Sequence, residues 1–204
     1  MTPEDFQNST GVSRETLARL EIYAALLQKW QKAINLVGPA TLPDLWRRHM
    51  LDSAQLFPLI PPGARRLADL GSGAGFPGLV LAIMGAADVQ LIESDQRKCT
   101  FLDAVARETG TKVTIHRKRL EDCPALNADV ITARALAPLD KLLNYARPLA
   151  SKSAICLFLK GQTADTELTE AKSAWYIEGE IKPSATNSDA SILILRRFEK
   201  EGPQ

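Results

Sequence analysis

Only three cysteines occur in the 204 residues, Cys99, Cys123 and Cys156, an odd number too widely spaced for a CxxC pair. That excludes a paired disulfide framework and a zinc or thiol-redox motif of the CxxC type, so no metal site is expected and a reducing cytoplasm is the expected location. No apolar run approaches the roughly 18 residues that a bilayer-spanning helix needs. The opening Met1-Thr2-Pro3-Glu4-Asp5 is acidic and polar, unlike an export signal, so an untargeted protein with no membrane partner is expected. Net charge is also nearly missing: 25 Lys and Arg stand against 24 Asp and Glu, for a formal +1. Any basic footprint for a polyanion must therefore be local. There is no internal repeat and no low-complexity segment, and only Glu199 to Gln204 reads as disordered.

A hydrophobic content of 45% in this length supplies the core of one domain with a terminal extension, and leaves no room for a second large domain. From Ser13 to Trp30, Leu17, Leu20, Tyr23, Ala24, Leu27 and Trp30 recur at three- and four-residue steps, the pattern of an amphipathic helix. A second helix is expected within Pro43 to Phe57, with Leu45, Met50, Ala54 and Phe57 inward; Pro58, Pro61, Pro62 and Gly63 then break the chain. Residues 1–62 thus read as a helical extension and 63–204 as the main unit. In the latter, Arg66 to Leu70, Val89 to Ile92, Val113 to His116, Val130 to Thr132 and Ala154 to Leu159 read as strands, with four helical patterns between or after them. Such alternation predicts right-handed βαβ units and a mainly parallel, doubly wound α/β sheet. Trp175 to Ile181 and Ser191 to Arg197 are joined by too short a loop for a helical crossover, so that pair is expected to be antiparallel.

The first of these strands runs through Asp69-Leu70 into Gly71, Gly73 and Gly75, and Gly78 then opens an apolar helical pattern. Glycines permit positive φ and close approach of a ligand to the backbone. In an open α/β sheet this turn lies at the crevice where ligands settle. Gly73-x-Gly75-x-x-Gly78 also satisfies the dinucleotide pattern, with Glu93 about 20 residues on to take ribose hydroxyls. Asp69, placed at the mouth of the same crevice, is unfavourable to a pyrophosphate and favourable to the ammonium and sulfonium of S-adenosylmethionine. The alternative is that Asp69 caps the loop by accepting backbone hydrogen bonds, which suits either ligand. Arg119-Leu120-Glu121-Asp122, after the third strand, can face an adenine or form a solvated loop.

Phe76-Pro77-Gly78 after the glycine loop, Trp30 with Asn35-Leu36, Arg48-His49 with Leu51-Asp52-Ser53, Arg134-Ala135 after the fourth strand and Lys160-Gly161 after the fifth are found together. In this set and order the chain resembles the bacterial 16S ribosomal RNA guanine-N7 methyltransferase family, RsmG, formerly glucose-inhibited division protein B. The resemblance covers nearly the whole chain. It implies a class I S-adenosylmethionine-dependent methyltransferase fold with a helical N-terminal extension. It also implies transfer of a methyl group from S-adenosylmethionine to N7 of one guanine in the small-subunit RNA, either free or in the subunit particle. Carried over by motif, Gly71, Phe76, Leu120, Glu121 and Arg134 contact the cofactor and Glu93 its ribose, beside the Asp69, Gly73 and Gly75 of the loop. One departure is Val37, where the family commonly has Thr or Ser.

The residues agree with that chemistry. The Asn/Asp-Pro-Pro-aromatic loop of amine methyltransferases is missing; Thr132-Ala133-Arg134-Ala135 stands there instead. No cysteine is placed as a nucleophile for pyrimidine-carbon methylation. Guanine N7 already presents a lone pair, so no general base is expected, and alignment and water exclusion supply the rate. Arg134 is the expected catalytic residue through positioning, since a guanidinium can hold a phosphate or a guanine edge. Arg48, His49, Arg119 and Lys160, with Arg47 and Arg117, are candidate RNA contacts, whereas Lys118 reads as a solvated charge. His49 has a second reading as a structural hydrogen-bonding residue near Asp52, and Arg134 as an ion-pair partner of Asp129 or Asp140. A nicotinamide-dependent oxidoreductase, a small-molecule methyltransferase and a non-catalytic RNA-binding protein are the rival functions. A monomer is expected.

Overall fold

Short runs of aliphatic and β-branched residues become seven strands of one sheet: β1 (Leu67–Leu70), β2 (Val89–Glu93), β3 (Thr114–Arg117), β4 (Ala128–Arg134), β5 (Ala150–Lys160), β6 (Trp175–Pro183) and β7 (Ser191–Lys200). The computed structural model describes residues 1–200. The order is β3-β2-β1-β4-β5-β7-β6, with the first five strands parallel and β7 antiparallel to both β5 and β6. All seven expected strands are present. Glu199 and Lys200, expected to be disordered, instead pair with Tyr176 and Trp175, while 201–204 lie outside the described residues. β1 has β2 on one side and β4 on the other, so the chain reverses its direction of winding at the carboxyl ends of β1 and β4.

The helices that cover the sheet are α4 (Gly78–Met84), α5 (Gln96–Glu108), α6 (Leu139–Ala146) and α7 (Ala164–Ala171), preceded by α1 (Pro3–Thr10), α2 (Arg14–Gln31) and α3 (Asp52–Ala54). Between β3 and β4 the chain makes only a 3-10 turn, Leu120–Asp122. Leu17, Leu20, Tyr23, Ala24 and Leu27 of α2 are buried, as their spacing predicts. α1 was not legible from apolar periodicity. Its start is set by a capping box: the Asp5 amide donates to the Thr2 hydroxyl at 3.1 Å, the Thr2 amide to the Asp5 carboxylate at 2.9 Å, and Phe6 alone is buried. The helix expected within Pro43 to Phe57 is irregular: a 3-10 turn over Pro39–Asp44, a π-helical turn over Trp46–Leu51, then α3. Leu45, Met50 and Ala54 are buried as expected.

The sheet separates two apolar clusters. On one face Phe6, Leu20, Leu27 and Met50 pack with Leu79, Leu81 and Phe101, so residues before β1 share a core with α4 and α5. On the other, Leu139, Leu143, Phe158 and Trp175 gather under α6, α7 and the β6–β7 hairpin. Among the described residues no helix is long and apolar enough to cross a membrane.

Candidate active site

Beyond β1 the loop turns through Gly71, Gly73 and Gly75, all with positive φ. At Gly75 and Gly78 space as well as conformation demands glycine. A Cβ on Gly75 would lie 2.7 Å from the Tyr23 hydroxyl, and one on Gly78 only 2.6 Å from Asp69 Cβ. Gly75 thus faces the core rather than the crevice, which corrects its expected contact with a cofactor. Tyr23, on α2, donates its hydroxyl to the Ala74 carbonyl and stacks on Phe76 at 5.2 Å, so α2 fastens the loop from behind.

Asp69 also departs from expectation. It is wholly buried in β1 beneath the loop, because that strand is covered on both faces. Oδ1 accepts from the Thr132 hydroxyl at 2.7 Å, and Oδ2 has no hydrogen-bond partner. Burial raises its pKa to about 6, against the lowering effect of the Thr132 hydroxyl. Its charge therefore does not select a ligand at the crevice mouth. Ser72 donates to Ile92 O at 3.0 Å, Gly73 to Glu93 Oε2 at 2.9 Å and Gly75 to Ser72 O at 2.7 Å, so these three are not free to cradle a pyrophosphate. Glu93 also accepts from the Asp95 amide through Oε1 at 2.8 Å, which fixes the carboxylate while leaving each oxygen a further lone pair for a ribose hydroxyl.

A crevice of about 1100 Å³ opens at the carboxyl ends of β1, β2 and β4. It brings together Gly71, Gly73, Phe76, Glu93, Leu120, Glu121 and Arg134 of the expected cofactor set, and Arg48, His49, Arg119 and Lys160 of the expected RNA set, but not Asp69 or Gly75. Lys118 lies on the same rim. Arg47 instead donates to the Thr186 carbonyl at 3.1 Å, and Arg117 pairs with Asp103 at 2.6 Å. Leu136, half exposed, sits over Gly71, where an added Cβ would meet it at 2.6 Å. With its backbone glycines, fixed Glu93 and the Glu121 carboxylate at one end, the crevice fits a nucleoside carrying a cationic side chain.

The charged side chains divide into engaged and free. Lys160 donates to the Ala137 carbonyl at 2.7 Å and to Glu167 at 2.6 Å, and its side chain is only 8% exposed. It is therefore a clamp on the loop after β4 and not a surface contact. Arg134 reaches Asp52 at 3.3 Å, the Arg48 carbonyl at 3.2 Å and His49 Nδ1 at 2.9 Å, with its guanidinium 4.9 Å above the Phe76 ring. Asp52 thus replaces Asp129 and Asp140 as its ion-pair partner. Those two accept from the Arg65 amide at 2.8 Å and from the Trp175 indole at 2.7 Å. His49 is 7% exposed and stacked on Phe76 at 5.0 Å. Its Nε2 faces the Thr41 hydroxyl at 2.7 Å. Burial first, then the charges of Arg134 and Arg48, push its pKa down to about 3. A neutral, doubly bonded ring corrects His49 as a cationic RNA contact. Arg48 and Arg119 remain exposed on the rim. Tyr23, Thr41, Asp52 and Thr186 were missed as site residues; only Asp52 had a signal, in the Leu51-Asp52-Ser53 motif.

Comparison with known proteins gives a family model, GidB, described as rRNA small subunit methyltransferase G, that matches residues 16–193. The chain is 60% identical over 200 residues to the ribosomal RNA small subunit methyltransferase G of Paramagnetospirillum magneticum, covering 98% of each. It is 54% identical to that of Rhodospirillum centenum, covering 98% of this chain and 93% of the relative. In fold it is similar to a SAM dependent methyltransferase from Aquifex aeolicus, with a TM-score of 0.59 at 13% identity over 75% of this chain and 92% of that one. It is likewise similar to M. jannaschii TYW2 in complex with AdoMet, with a TM-score of 0.58 at 13% identity over 83% and 80%. Those structures support the class I Rossmann-like fold alone, whereas the family model and the full-length relatives decide kinship: this chain belongs to the rRNA small subunit methyltransferase G family.

Proposed function

We propose that this chain transfers a methyl group from S-adenosylmethionine to N7 of a guanine in 16S ribosomal RNA, with residues 1–62 as a helical extension of the methyltransferase unit 63–204. It acts as a monomer in the cytoplasm, on the RNA itself or the small-subunit particle, without a membrane partner. One observation carries the reading: the titratable side chains around Arg134 and the Glu93 carboxylate are all engaged, so none of them is free to act as a base. His49 is neutral with both nitrogens engaged, Asp52 is paired with Arg134, and Glu93 is held by two amides. A nucleophile that must lose a proton is poorly served here, whereas guanine N7 needs no deprotonation.

When bound, the cofactor supplies a methyl group activated by its sulfonium. The chain's own residues supply binding and alignment. Glu93 offers fixed acceptors to ribose hydroxyls, Leu120 and Glu121 border the adenine end, and Gly71 and Gly73 let a ligand approach the backbone. Arg134, at the end of β4, presents a planar donor to the guanine edge or a flanking phosphate. Arg48 and Arg119, exposed at the rim, meet the backbone of the RNA. A base in structured RNA must be splayed out to reach this depth.

Mass mapping of 16S RNA treated with protein and S-adenosylmethionine tests the reading. One guanine should gain a methyl on N7. Tight cofactor binding with no transfer to RNA or to small-subunit particles would overturn the substrate, and binding of NAD alone would overturn the reaction.

A further inference from the structure

Three stretches far apart in sequence converge on Arg134: Thr41 to Asp52 before the sheet, the end of β4, and the turn between β6 and β7. Every bond in the convergence has a defined direction. A guanidinium has only hydrogens to offer, so His49 Nδ1, 2.9 Å from Arg134 Nη2, must be the acceptor. The ring proton is then on Nε2, which donates to Thr41 Oγ1 at 2.7 Å, and Thr41 donates in turn to the Gly38 carbonyl at 2.6 Å. On the other side Asp52 accepts from Arg134 through Oδ2 at 3.3 Å. Its Oδ1 accepts from the Thr186 hydroxyl at 2.7 Å and the Gln55 amide at 3.0 Å. The Phe76 ring lies beneath the guanidinium, its centroid 4.9 Å from the central carbon, and so limits how far it can drop.

We propose that His49 and Asp52 are positioning residues that aim the guanidinium of Arg134 into the crevice, with Thr41 fixing the tautomer of His49 and Thr186 locking Asp52. The inference rests on the role given to Arg134 in methyl transfer. The pieces before β1 then build the active site rather than merely cover it. A guanidinium on a flexible stem, free to rotate, would lose alignment with the base, and small misplacements of a reacting pair carry large rate losses.

Single-turnover methylation at saturating RNA and cofactor separates positioning from simple structural support. His49→Ala and Asp52→Asn should each slow transfer by about 10-fold or more, as loss of a positioning contact does. The dissociation constant of the cofactor should change by less than about threefold, since neither residue is assigned to it. His49→Asn, which retains an acceptor near Nδ1, should recover most of the rate. The double variant His49→Ala/Arg134→Ala should be no slower than Arg134→Ala, because His49 acts through Arg134. Losses that multiply in the double variant, or a normal rate in folded His49→Ala, would overturn the proposal. Thr186→Val, isosteric and in the turn between β6 and β7, gives the same test if the His49 variant does not fold: it should slow the wild type but not the Arg134→Ala background.

A second readout does not involve turnover. Nitrogen NMR should find His49 protonated on Nε2 and unprotonated on Nδ1 from pH 5 to 8, facing Arg134, Arg48 and Asp52. Arg134→Ala should shift its titration upward. Titration of His49 near pH 6.5 in the wild type would overturn the proposal. If wild type methylates no RNA at all, the substrate reading fails, while this titration still decides the contact with Arg134.

Discussion

Replacing Asp69 by Asn should change the pH dependence of stability in a way that isolates one buried carboxyl. Asp69 is wholly buried, and desolvation raises its pKa from 3.8 to about 6. At about 1.4 kcal/mol per unit, ionising it inside the fold costs about 3 kcal/mol. The unfolded carboxyl ionises at 3.8 and the folded one at about 6, so the cost is absent below pH 3.8, grows between the two values and is complete above pH 6. Asn keeps an acceptor for the Thr132 hydroxyl but buries an amide where Oδ2 has no partner, a cost of about 1–3 kcal/mol at every pH. Asp69→Asn should therefore be less stable than wild type near pH 4 and equal or more stable at pH 7.5, a swing of about 3 kcal/mol. His49 runs the opposite way. Its folded pKa of about 3 against 6.5 means that its stabilisation is full above pH 6.5 and is lost as pH falls toward 3, but it is present in both proteins and cancels in the difference. Urea unfolding of the pair from pH 4 to 8 measures that difference directly. A constant offset across the range would refute the reasoning, for Asp69 would then titrate alike in both states.

Gly78→Ala should lower stability by about 1–3 kcal/mol, measured by urea unfolding, since its methyl would collide with Asp69 Cβ, fixed in a central strand. An unchanged midpoint would mean that the loop shifts freely. Glu93→Ala should weaken S-adenosylmethionine binding by about 10-fold or more, through loss of a charged acceptor and release of the Gly73 amide; an unchanged calorimetric dissociation constant would put Glu93 outside the site. Arg48→Ala and Arg119→Ala should each flatten the salt dependence of RNA binding by about one in slope, whereas Lys160→Met should leave the slope unchanged because Glu167 already holds that ammonium. A slope lost with Lys160 and retained without Arg119 would reverse the assignment.

Elements with a repeating apolar pattern were legible in the sequence, and residues whose role depends on a distant partner were not. The stripe from Leu17 to Leu27 and the seven strands follow from period and length alone. α1 escaped because its single buried residue, Phe6, makes no period, although Thr2 and Asp5 carried a capping signal. The π-helical turn at Trp46–Leu51 left no trace in the spacing, for it changes the hydrogen bonding without changing residue types. In the site, the glycine loop, Glu93 and Arg134 were readable from their places at strand ends. Asp69 was misplaced because a four-residue strand buried on both faces does not reveal which end of it meets solvent. Lys160 and His49 stand at the crevice as expected. Their charge is absorbed by Glu167 and suppressed by burial beside Arg134, and no local pattern announces either pairing.

The position of β7 bears on how the protein must be made. It is the last described strand in sequence yet lies between β5 and β6, and among the described residues no other strand pairs with β6. As the chain leaves the ribosome, β6 has nothing to join and the apolar edge of β5 is bare until 191–200 emerge. A chain that omits those ten residues is expected to expose the hydrophobic edge of β5, a template for aggregation. Closure of the sheet at this edge therefore waits for β7, whereas the five parallel strands pair without it.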